Sequence, residues 1–387
     1  MEYKEYELGE LLYYEQPTPY IVESTDYNDA YGTPVLTAGK SFILGYTDEK
    51  EGIYDQLPVI IFDDFTTASQ YVNFKFKVKS SAMKILTPVT ELVLPKYIYY
   101  RIQIIQFDHS THKRYWIQQY SKIRVSIPPI PEQECIVARL EELFSQLDAG
   151  VETLKKTKAQ LAVYRQAVLK EAFEGRLTAS GPEKIVRLGD YIETPRYGTS
   201  KKCSYDDGRD RTAVYRIPNI EHKNGRISHD DIKYAQFTES ELDGIRLQQG
   251  DILIIRSNGS VSLVGRAAMV CDANITGTFA GYLMRLRISE PETLLPKFLL
   301  LFLQSHQARI YIENKAKSTS GVHNINSTEI SDLQMPLYDP DTQYAIIEAI
   351  ESRLSVCDSI EQTVDTALQQ AEAMRQSILK DAFEGRL

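Results

Sequence analysis

The sequence lacks the features that mark secreted, zinc-binding or membrane-spanning proteins. Its four cysteines lie far apart and form no CxxC pair, which disfavours a disulfide scaffold and a cysteine-rich zinc site. Its longest apolar run is residues 298–303, far short of the roughly 20 residues that cross a bilayer. The acidic, polar first residues resemble neither a signal peptide nor a transit peptide. We therefore expect a cytoplasmic protein that does not act at a membrane.

Motifs for catalysis are also missing. The sequence contains no GxxxxGK[ST] phosphate loop and no [NDS]-Pro-Pro-[YF] tetrapeptide of the amino-methyltransferases. His109 and His112 could offer two ligands to a metal ion, but no Cys or carboxylate lies at a useful spacing from them. We therefore favour a polar or DNA-facing loop for these two histidines. The acid pairs at 63–64 and 206–207 are typical of turns. The sequence predicts no catalytic residue, no metal site and no cofactor bound by this chain.

The charge of the 387-residue chain is unevenly distributed. The net charge is −9, which by itself argues against nucleic-acid binding. Residues 1–64, however, hold 3 Lys and Arg against 14 Asp and Glu, whereas residues 65–127 hold 10 against 2. Electrostatic steering is screened beyond ~10 Å, so a local surplus sets the local potential. The acidic total therefore does not exclude a DNA-binding face.

The chain repeats itself. Residues 165–177 recur as residues 375–387, at an offset of 210, and every mismatch is conservative. Looser pairs precede them: Leu-Gly-Glu at 8–10 matches Leu-Gly-Asp at 188–190, and Leu-Pro-Lys at 94–96 matches Leu-Pro-Lys at 295–297. The layout is a lobe, a long helix, a second lobe and a second long helix.

Both strong repeats end long helical patterns, which we place at about residues 132–174 and 341–384. Apolar residues that recur every seven positions, with Glu, Gln and Lys at the positions between them, are typical of a coiled coil. The apolar positions of the helix-pair interface are Leu140, Leu147, Leu154, Leu161 and Val168 in the first helix, and Ile350, Cys357, Val364, Ala371 and Ile378 in the second. We expect the helices to pack on each other in antiparallel fashion; pairing of one helix with a partner protein is the alternative.

The predicted fold class is mixed α+β. Two globular α/β lobes, residues 1–127 and 179–335, are separated by a long antiparallel two-helix coiled coil with an internal pseudo-two-fold repeat. The helical regions are residues 128–178 and 336–387. Apolar β-patterns at 58–62 and 251–256 lie inside the lobes.

At this point the chain resembles the specificity (S) subunit of a type I restriction–modification system. The resemblance lies in Pro-Pro-Ile-Pro-Glu-Gln-Glu at 128–134, in the Phe-Glu-Gly-Arg-Leu endings at 173–177 and 383–387, and in the second-lobe segments at 250–259 and 320–326. The start of the second helix at 336–340 departs from the fuller proline-rich form.

The resemblance implies that the chain is a non-catalytic subunit whose lobes are target-recognition domains. They would read an asymmetric, bipartite site on double-stranded DNA. The helical regions would bind two methyltransferase (M) subunits, which carry S-adenosylmethionine and methylate adenine. Whether restriction (R) subunits join them is left open.

Candidate DNA contacts in the first lobe are basic residues. Residues 73–79 alternate apolar with basic, and a strand of period two buries the apolar ones and presents Lys75, Lys77 and Lys79 together. A solvated face is the alternative to phosphate contact. Further candidates are Lys84, Lys113 and Arg114. The adjoining Tyr115 and Trp116 are more typical of a core than of base stacking.

Candidate contacts in the second lobe are loop residues and residues at a strand end, where function concentrates. Arginine pairs with guanine, and asparagine with adenine, through two hydrogen bonds. The candidates are Arg196, Tyr197, Gly198, Thr199, Lys201 and Lys202, then Arg256, Ser257 and Asn258, and finally Ser318, Ser320 and Asn324.

The helix ends and the overall role each leave an alternative. Phe173, Arg176, Phe383 and Arg386 are expected to dock partner subunits, and the alternative is a helix cap with the phenylalanines in the core. A coiled-coil scaffold whose lobes bind protein is the alternative function, and it predicts DNA affinity that is absent or blind to sequence. A further alternative is an enzyme with an unrecognised active site, and it predicts that the isolated chain catalyses a reaction.

Overall fold

Two helices of 44 residues, Ile130–Phe173 and Pro340–Phe383, are the longest elements of the computed structural model. The model describes residues 3–39, 41–107, 114–177, 181–208, 210–221, 223–272, 275–319 and 321–387. Gly175 and Gly385 follow the helices with φ of 74° and 71°, a conformation in which glycine commonly ends a helix. The bounds of both helices in the structure lie within two residues of the predicted bounds.

The chain divides into two compact units. The first contains residues 1–155 and 365–387, and the second contains residues 156–364. The division falls inside the long helices and not at the predicted domain boundaries, because each lobe buries apolar side chains of the helix segments beside it.

Three sheets lie in the described part of the first unit. Its elements in chain order are β1 (Lys4–Glu7), α1 (Leu8–Leu11), β2 (Leu12–Glu15), β3 (Thr33–Leu36), β4 (Ile43–Thr47), β5 (Val59–Asp63), β6 (Ser69–Val72), β7 (Lys77–Val78), β8 (Met83–Pro88), α2 (Pro95–Ile102), β9 (Arg124–Ile127), the first part of α3 (Ile130–Phe173) and the last part of α8 (Pro340–Phe383). The antiparallel four-stranded sheet has the order β2-β8-β5-β6, the three-stranded sheet has the order β4-β3-β7, and β1 pairs with β9.

The central strand β5 is buried on both faces. Ile60 and Phe62 pack with Tyr97 and Ile98 of α2, whereas Ile61 belongs to a second cluster on the other face. Covering both faces explains why this strand is continuously apolar and does not alternate.

The second unit contains the rest of α3 and a larger set of strands. They are β10 (Lys184–Arg187), β11 (Arg196–Tyr197), β12 (Arg211–Tyr215), β13 (Ile220–Glu221), β14 (Arg226–Ile227), β15 (Lys233–Gln236), α4 (Glu239–Leu242), β16 (Ile252–Ile255), β17 (Ser257–Asn258), β18 (Ala267–Met269), β19 (Thr278–Phe279), β20 (Leu283–Leu286), α5 (Pro296–Leu303), α6 (His306–Lys315), β21 (Lys317–Thr319), β22 (Val322–Asn324), α7 (Ser327–Ser331), β23 (Gln334–Leu337) and the first part of α8 (Pro340–Phe383).

The main sheet of the second unit has six strands in the order β11-β20-β16-β18-β14-β13. Smaller sheets have the orders β15-β12-β19 and β17-β22-β21, and β10 pairs with β23. In β16, Ile252 and Ile254 face one apolar cluster, and Leu253 and Ile255 face another. This strand therefore forms the centre of the second unit.

A buried glutamine fastens the start of each long helix. In the first unit the Gln133 side chain accepts a hydrogen bond from the Leu94 N–H (2.8 Å) and donates to the carbonyls of Leu92 (3.1 Å) and Pro128 (2.8 Å). Gln133 is fully buried. The glutamine therefore satisfies three backbone groups at once, as buried polar groups require.

The second unit repeats this arrangement at the offset of 210. Gln343, also fully buried, accepts from the Leu295 N–H (2.9 Å) and donates to the carbonyls of Thr293 (2.8 Å) and Tyr338 (2.7 Å). The two units thus share a framework although their sheets differ.

The two long helices contact each other in antiparallel fashion within each unit. In the first unit, Leu140 clusters with Leu379 and Ala382, and further along the helix Asp148 pairs with Arg375. In the second unit, the Arg165 guanidinium lies 2.6 Å from the Asp358 carboxylate, and toward the end of α3 the Phe173 carbonyl accepts a hydrogen bond of 3.1 Å from Tyr338.

All ten predicted heptad residues are at least partly buried. The buried ones are Leu140, Val168, Ile350, Cys357, Val364 and Ala371, and the partly buried ones are Leu147, Leu154, Leu161 and Ile378.

In the described part of the chain, no helix is long and apolar enough to cross a membrane.

Candidate nucleic-acid interface

The predicted lysine face at residues 73–79 does not form. Only Lys77–Val78 is a strand, and the three consecutive residues 76–78 are buried while Phe74 is exposed. The Lys77 ammonium lies 2.6 Å from the Glu49 carboxylate and donates to the Glu51 carbonyl at 2.8 Å. The prediction for Lys77 was wrong because a neighbouring loop covers the side of β7 that a regular strand would leave in water.

Lys84 is also removed from the DNA-facing candidates. Its side chain is fully buried, and its ammonium donates to Gln16 (3.0 Å) and to the Ser81 carbonyl (2.8 Å). The Asp64 carboxylate lies 3.7 Å away. Burial lowers the pKa of Lys84, and the charge of Asp64 opposes that shift. The fully buried ammonium is not accessible to a DNA phosphate, so the prediction for Lys84 was wrong.

Exposed basic residues remain in the first unit. Lys75, whose side chain is 68% exposed, lies 3.5 Å from Asp55, and Lys79 and Arg114 are exposed. Lys113, His109 and His112 lie outside the described residues. Tyr115 and Trp116 are each 2% exposed, which matches the core alternative and not base stacking.

In the second unit, one candidate loop follows the edge strand β11. Arg196, Tyr197, Lys201 and Lys202 are exposed. The Lys201 ammonium is already paired with Glu241 at 2.7 Å. A Cβ at Gly198 would lie 2.1 Å from the Phe279 carbonyl oxygen, so only glycine fits there.

The structure brings several second-unit candidates together around one cleft of about 590 Å³. Among the described residues, four cationic side chains and no carboxylate line it. The cations are Lys201, Arg216, Lys233 and Arg256, and the candidates Thr199 and Ser257 also line it. An open cleft with surplus positive charge suits an anionic or electron-rich ligand such as DNA.

Sequence reasoning missed Arg216, Lys233 and the exposed Tyr282 of this cleft. Arg216 directly follows β12 and Lys233 begins β15. The rule that polar residues at strand ends carry function, applied to every strand and not only to β16, would have found both.

The remaining second-unit candidates lie on the small sheet β17-β22-β21. Ser257 is 7% exposed, and Asn258 and Asn324 are partly buried. The backbone of Ser257 pairs with that of Asn324. Ser318 lies on β21, and Ser320 lies outside the described residues.

The chain is similar in sequence to one known family of proteins. Residues 1–161 match the family described as type I restriction modification DNA specificity domain. The chain is 47% identical over 174 residues to the EcoR124I/EcoR124II type I restriction enzyme specificity subunit of Escherichia coli, covering 42% of this chain and 43% of that relative. The chain belongs to the type I restriction–modification specificity subunits.

Other relatives extend the match along the chain. This specificity subunit is 30% identical over 277 residues to the EcoKI specificity subunit of Escherichia coli strain K12, covering 69% of this chain and 58% of the relative. The chain spans about half of the length of these curated relatives.

A solved structure matches the fold over the whole chain. It comes from work on complex assembly and conformational transition of the type I R-M system, with a TM-score of 0.73, 16% identity, and coverage of 100% of this chain and 98% of that chain. At this identity the match shows the fold alone. The predicted α+β class is confirmed.

The phenylalanines of the Phe-Glu-Gly-Arg-Leu endings of this specificity subunit pack against aromatic side chains of the lobes. Phe173 is 6% exposed and packs edge-on against Phe298 and Phe302, each at 5.3 Å between ring centroids. Phe383 packs edge-on against Tyr97 at 5.3 Å. These contacts support the alternative of a helix cap with the phenylalanines in the core, and the docking role of the two rings stays a prediction.

The arginines of the same endings remain exposed. Arg176 hydrogen-bonds Glu174, and Arg386 contacts Asp381 at 2.6 Å. Both side chains are 57% exposed.

Within the described residues no group of three or more His, Cys, Asp or Glu side chains is placed to hold a metal ion.

Proposed function

We propose that this chain is the sequence-specific DNA-binding subunit of a type I restriction–modification complex. Each lobe reads one half of a bipartite site on double-stranded DNA. The chain itself recognises DNA and does not catalyse. Two methyltransferase subunits with bound S-adenosylmethionine methylate adenine on the DNA that the chain selects.

The observation that carries the proposal is a common framework holding different lobes. Gln133 and Gln343 make the same three hydrogen bonds, yet one unit has a four-stranded main sheet and the other a six-stranded one. Repeated frameworks with unlike lobes support recognition of two unlike half-sites. Half-sites on duplex DNA recur about 34 Å apart per helical turn, so reading two of them requires a fixed separation.

The long helices are proposed to supply that separation as an antiparallel coiled coil. The antiparallel contacts within each unit and the full or partial burial of all ten heptad residues support this role. The helical regions are also proposed to dock the methyltransferase subunits, with the exposed Arg176 and Arg386 as candidate contacts.

Exchange of one lobe tests the assignment of the half-sites. Replacing residues 1–127 with the first lobe of another family member should change one half of the methylated sequence and leave the other half intact. Methylome sequencing of the host, with the chain, without it and with the exchange, gives the readout. Changes in both halves would show that the lobes do not read independently, and DNA binding that is blind to sequence would favour the scaffold alternative.

Lengthening the helices tests the separation. Four residues inserted after Thr157 and four after Asp365 add about 6 Å to each helix. The spacer between the half-sites should grow by about one to two base pairs, since base pairs are 3.4 Å apart. An unchanged spacer in the methylome would contradict the proposed role of the helices.

A further inference from the structure

Arg256 is held more firmly than the other cations of the second-unit cleft. It follows β16, the central strand, at the point where the chain passes from the six-stranded sheet to β17. Its backbone N–H donates to the Tyr282 carbonyl (2.9 Å), and its carbonyl accepts from the Ile325 N–H (2.9 Å). The backbone is therefore fixed on both sides.

The guanidinium of Arg256 is fixed as well. It stacks over the Tyr197 ring with 4.4 Å between the guanidinium carbon and the ring centroid. Nη1 donates to the Gly281 carbonyl at 3.1 Å, and Nε is buried without a hydrogen-bond partner among the described residues. Stacking sets the plane of the guanidinium, and the Gly281 bond sets its rotation within that plane. Nη2 and the second N–H of Nη1 are left to donate to a ligand.

The charge of Arg256 also lacks the compensation that two neighbouring cations have. Lys201 is paired with Glu241 at 2.7 Å, and Arg216 is paired with Asp231 at 2.7 Å. No carboxylate lies within 4.0 Å of Arg256 in the described part of the chain. Arg256 is thus a half-buried, preorganised cation facing an open cleft.

We propose that Arg256 is a specificity-determining residue that reads a guanine base edge in the half-site of the second lobe, with Tyr197 as its positioning residue. This inference rests on the proposed function. A phosphate contact needs charge, which a flexible lysine supplies. A planar arginine fork held by stacking instead loses little rotamer freedom and matches the O6 and N7 acceptors of guanine.

Arg256→Lys tests the assignment because it keeps the charge and removes the fork. In the full complex, methylome sequencing should show one G·C pair of the second-lobe half-site becoming degenerate. The preference there should fall about 5- to 150-fold, the discrimination that a bidentate arginine–guanine pair supplies. The first-lobe half-site should stay unchanged. Tyr197→Leu should relax the same base pair to a smaller degree.

Arg187→Lys is the matched control, because Arg187 pairs with Asp332 at 2.8 Å and does not line the cleft. It should leave the recognised sequence unchanged. Uniformly weaker methylation with Arg256→Lys, at unchanged base preference, would assign a phosphate contact and overturn the proposal. Loss of folding by Arg256→Lys would make the residue structural and overturn it too. A wild-type chain that directs no bipartite methylation would instead refute the proposed function.

Discussion

The guanidinium of Arg165 donates a hydrogen bond of 2.6 Å to the carboxylate of Asp358. The repeat counterparts of these residues, Arg375 and Asp148, are bonded to each other in the same way. Each unit therefore contains one copy of this pair, with its arginine and its aspartate on different helices. The internal repeat of the sequence therefore supplies both copies of this ion pair.

The same helix contact gives the second unit a dependence on pH. Glu361 accepts from Lys223 (3.0 Å) and from Arg165 (3.0 Å). The hydrogen bond from Lys223, followed by the charges of Lys223 and Arg165, lowers the pKa of Glu361 below its usual 4.5. A carboxylate with a lowered folded-state pKa stabilises the fold above pH 4.5, and this contribution is lost as the pH falls through the folded-state value.

Glu361→Gln should therefore reduce the free energy of unfolding at pH 7, and the deficit relative to wild type should shrink as the pH falls below 4.5. Urea unfolding of both proteins across this range gives the comparison. A deficit that stays constant with pH would contradict the role of Glu361. Glu348→Gln, at an exposed position of the same helix, is the control.

Gln133→Ala and Gln343→Ala should each be strongly destabilising. Either change leaves one N–H and two carbonyls without their partner, and an unsatisfied buried polar group costs ~1–3 kcal/mol. We expect losses of about 3 kcal/mol or more in the free energy of unfolding, measured with urea. Gln146→Ala, at an exposed position of α3, should cost less than about 0.5 kcal/mol. A similarly small loss for Gln133→Ala would refute the fastening role.

Lys84→Met should destabilise the first unit because it leaves the Asp64 carboxylate, 2% exposed, without its cation. Removing one partner of a buried ion pair typically costs ~3–5 kcal/mol. Adding Asp64→Asn should recover part of this loss, since the uncompensated charge is gone. The measurement is a double-mutant cycle in urea, with exposed Lys79→Met as control. No recovery in the double variant would show that the two charges are not coupled.

Phe173→Ala should cost ~3–5 kcal/mol, as is usual for a buried phenylalanine, and Phe383→Ala should cost less because Phe383 is only partly buried. Arg176→Ala and Arg386→Ala, at exposed positions, should leave stability nearly unchanged. Thermal unfolding and co-purification with the methyltransferase subunit give the two readouts. Loss of the subunit by a Phe383→Ala chain of unchanged stability would assign a docking role to that ring.

Local sequence patterns predicted the long helices and the apolar strands. The heptads from Leu140 and Ile350, together with Gly175 and Gly385, gave both helices to within two residues. These features are local, because the backbone period and the conformational freedom of glycine act within a few residues. The duplication likewise needed only the comparison of the chain with itself.

Tertiary structure decided which polar groups meet water. Lys77 and Lys84 look like surface lysines in the sequence, but distant residues, Glu49 and Asp64, cover and pair them. Arg256 meets Tyr197 across 59 positions, and Phe173 meets Phe298 across 125. Burial depends on segments far apart in the chain. The sequence therefore determined the repeated helices and the strands, and only the folded lobes decided which side chains the cleft presents.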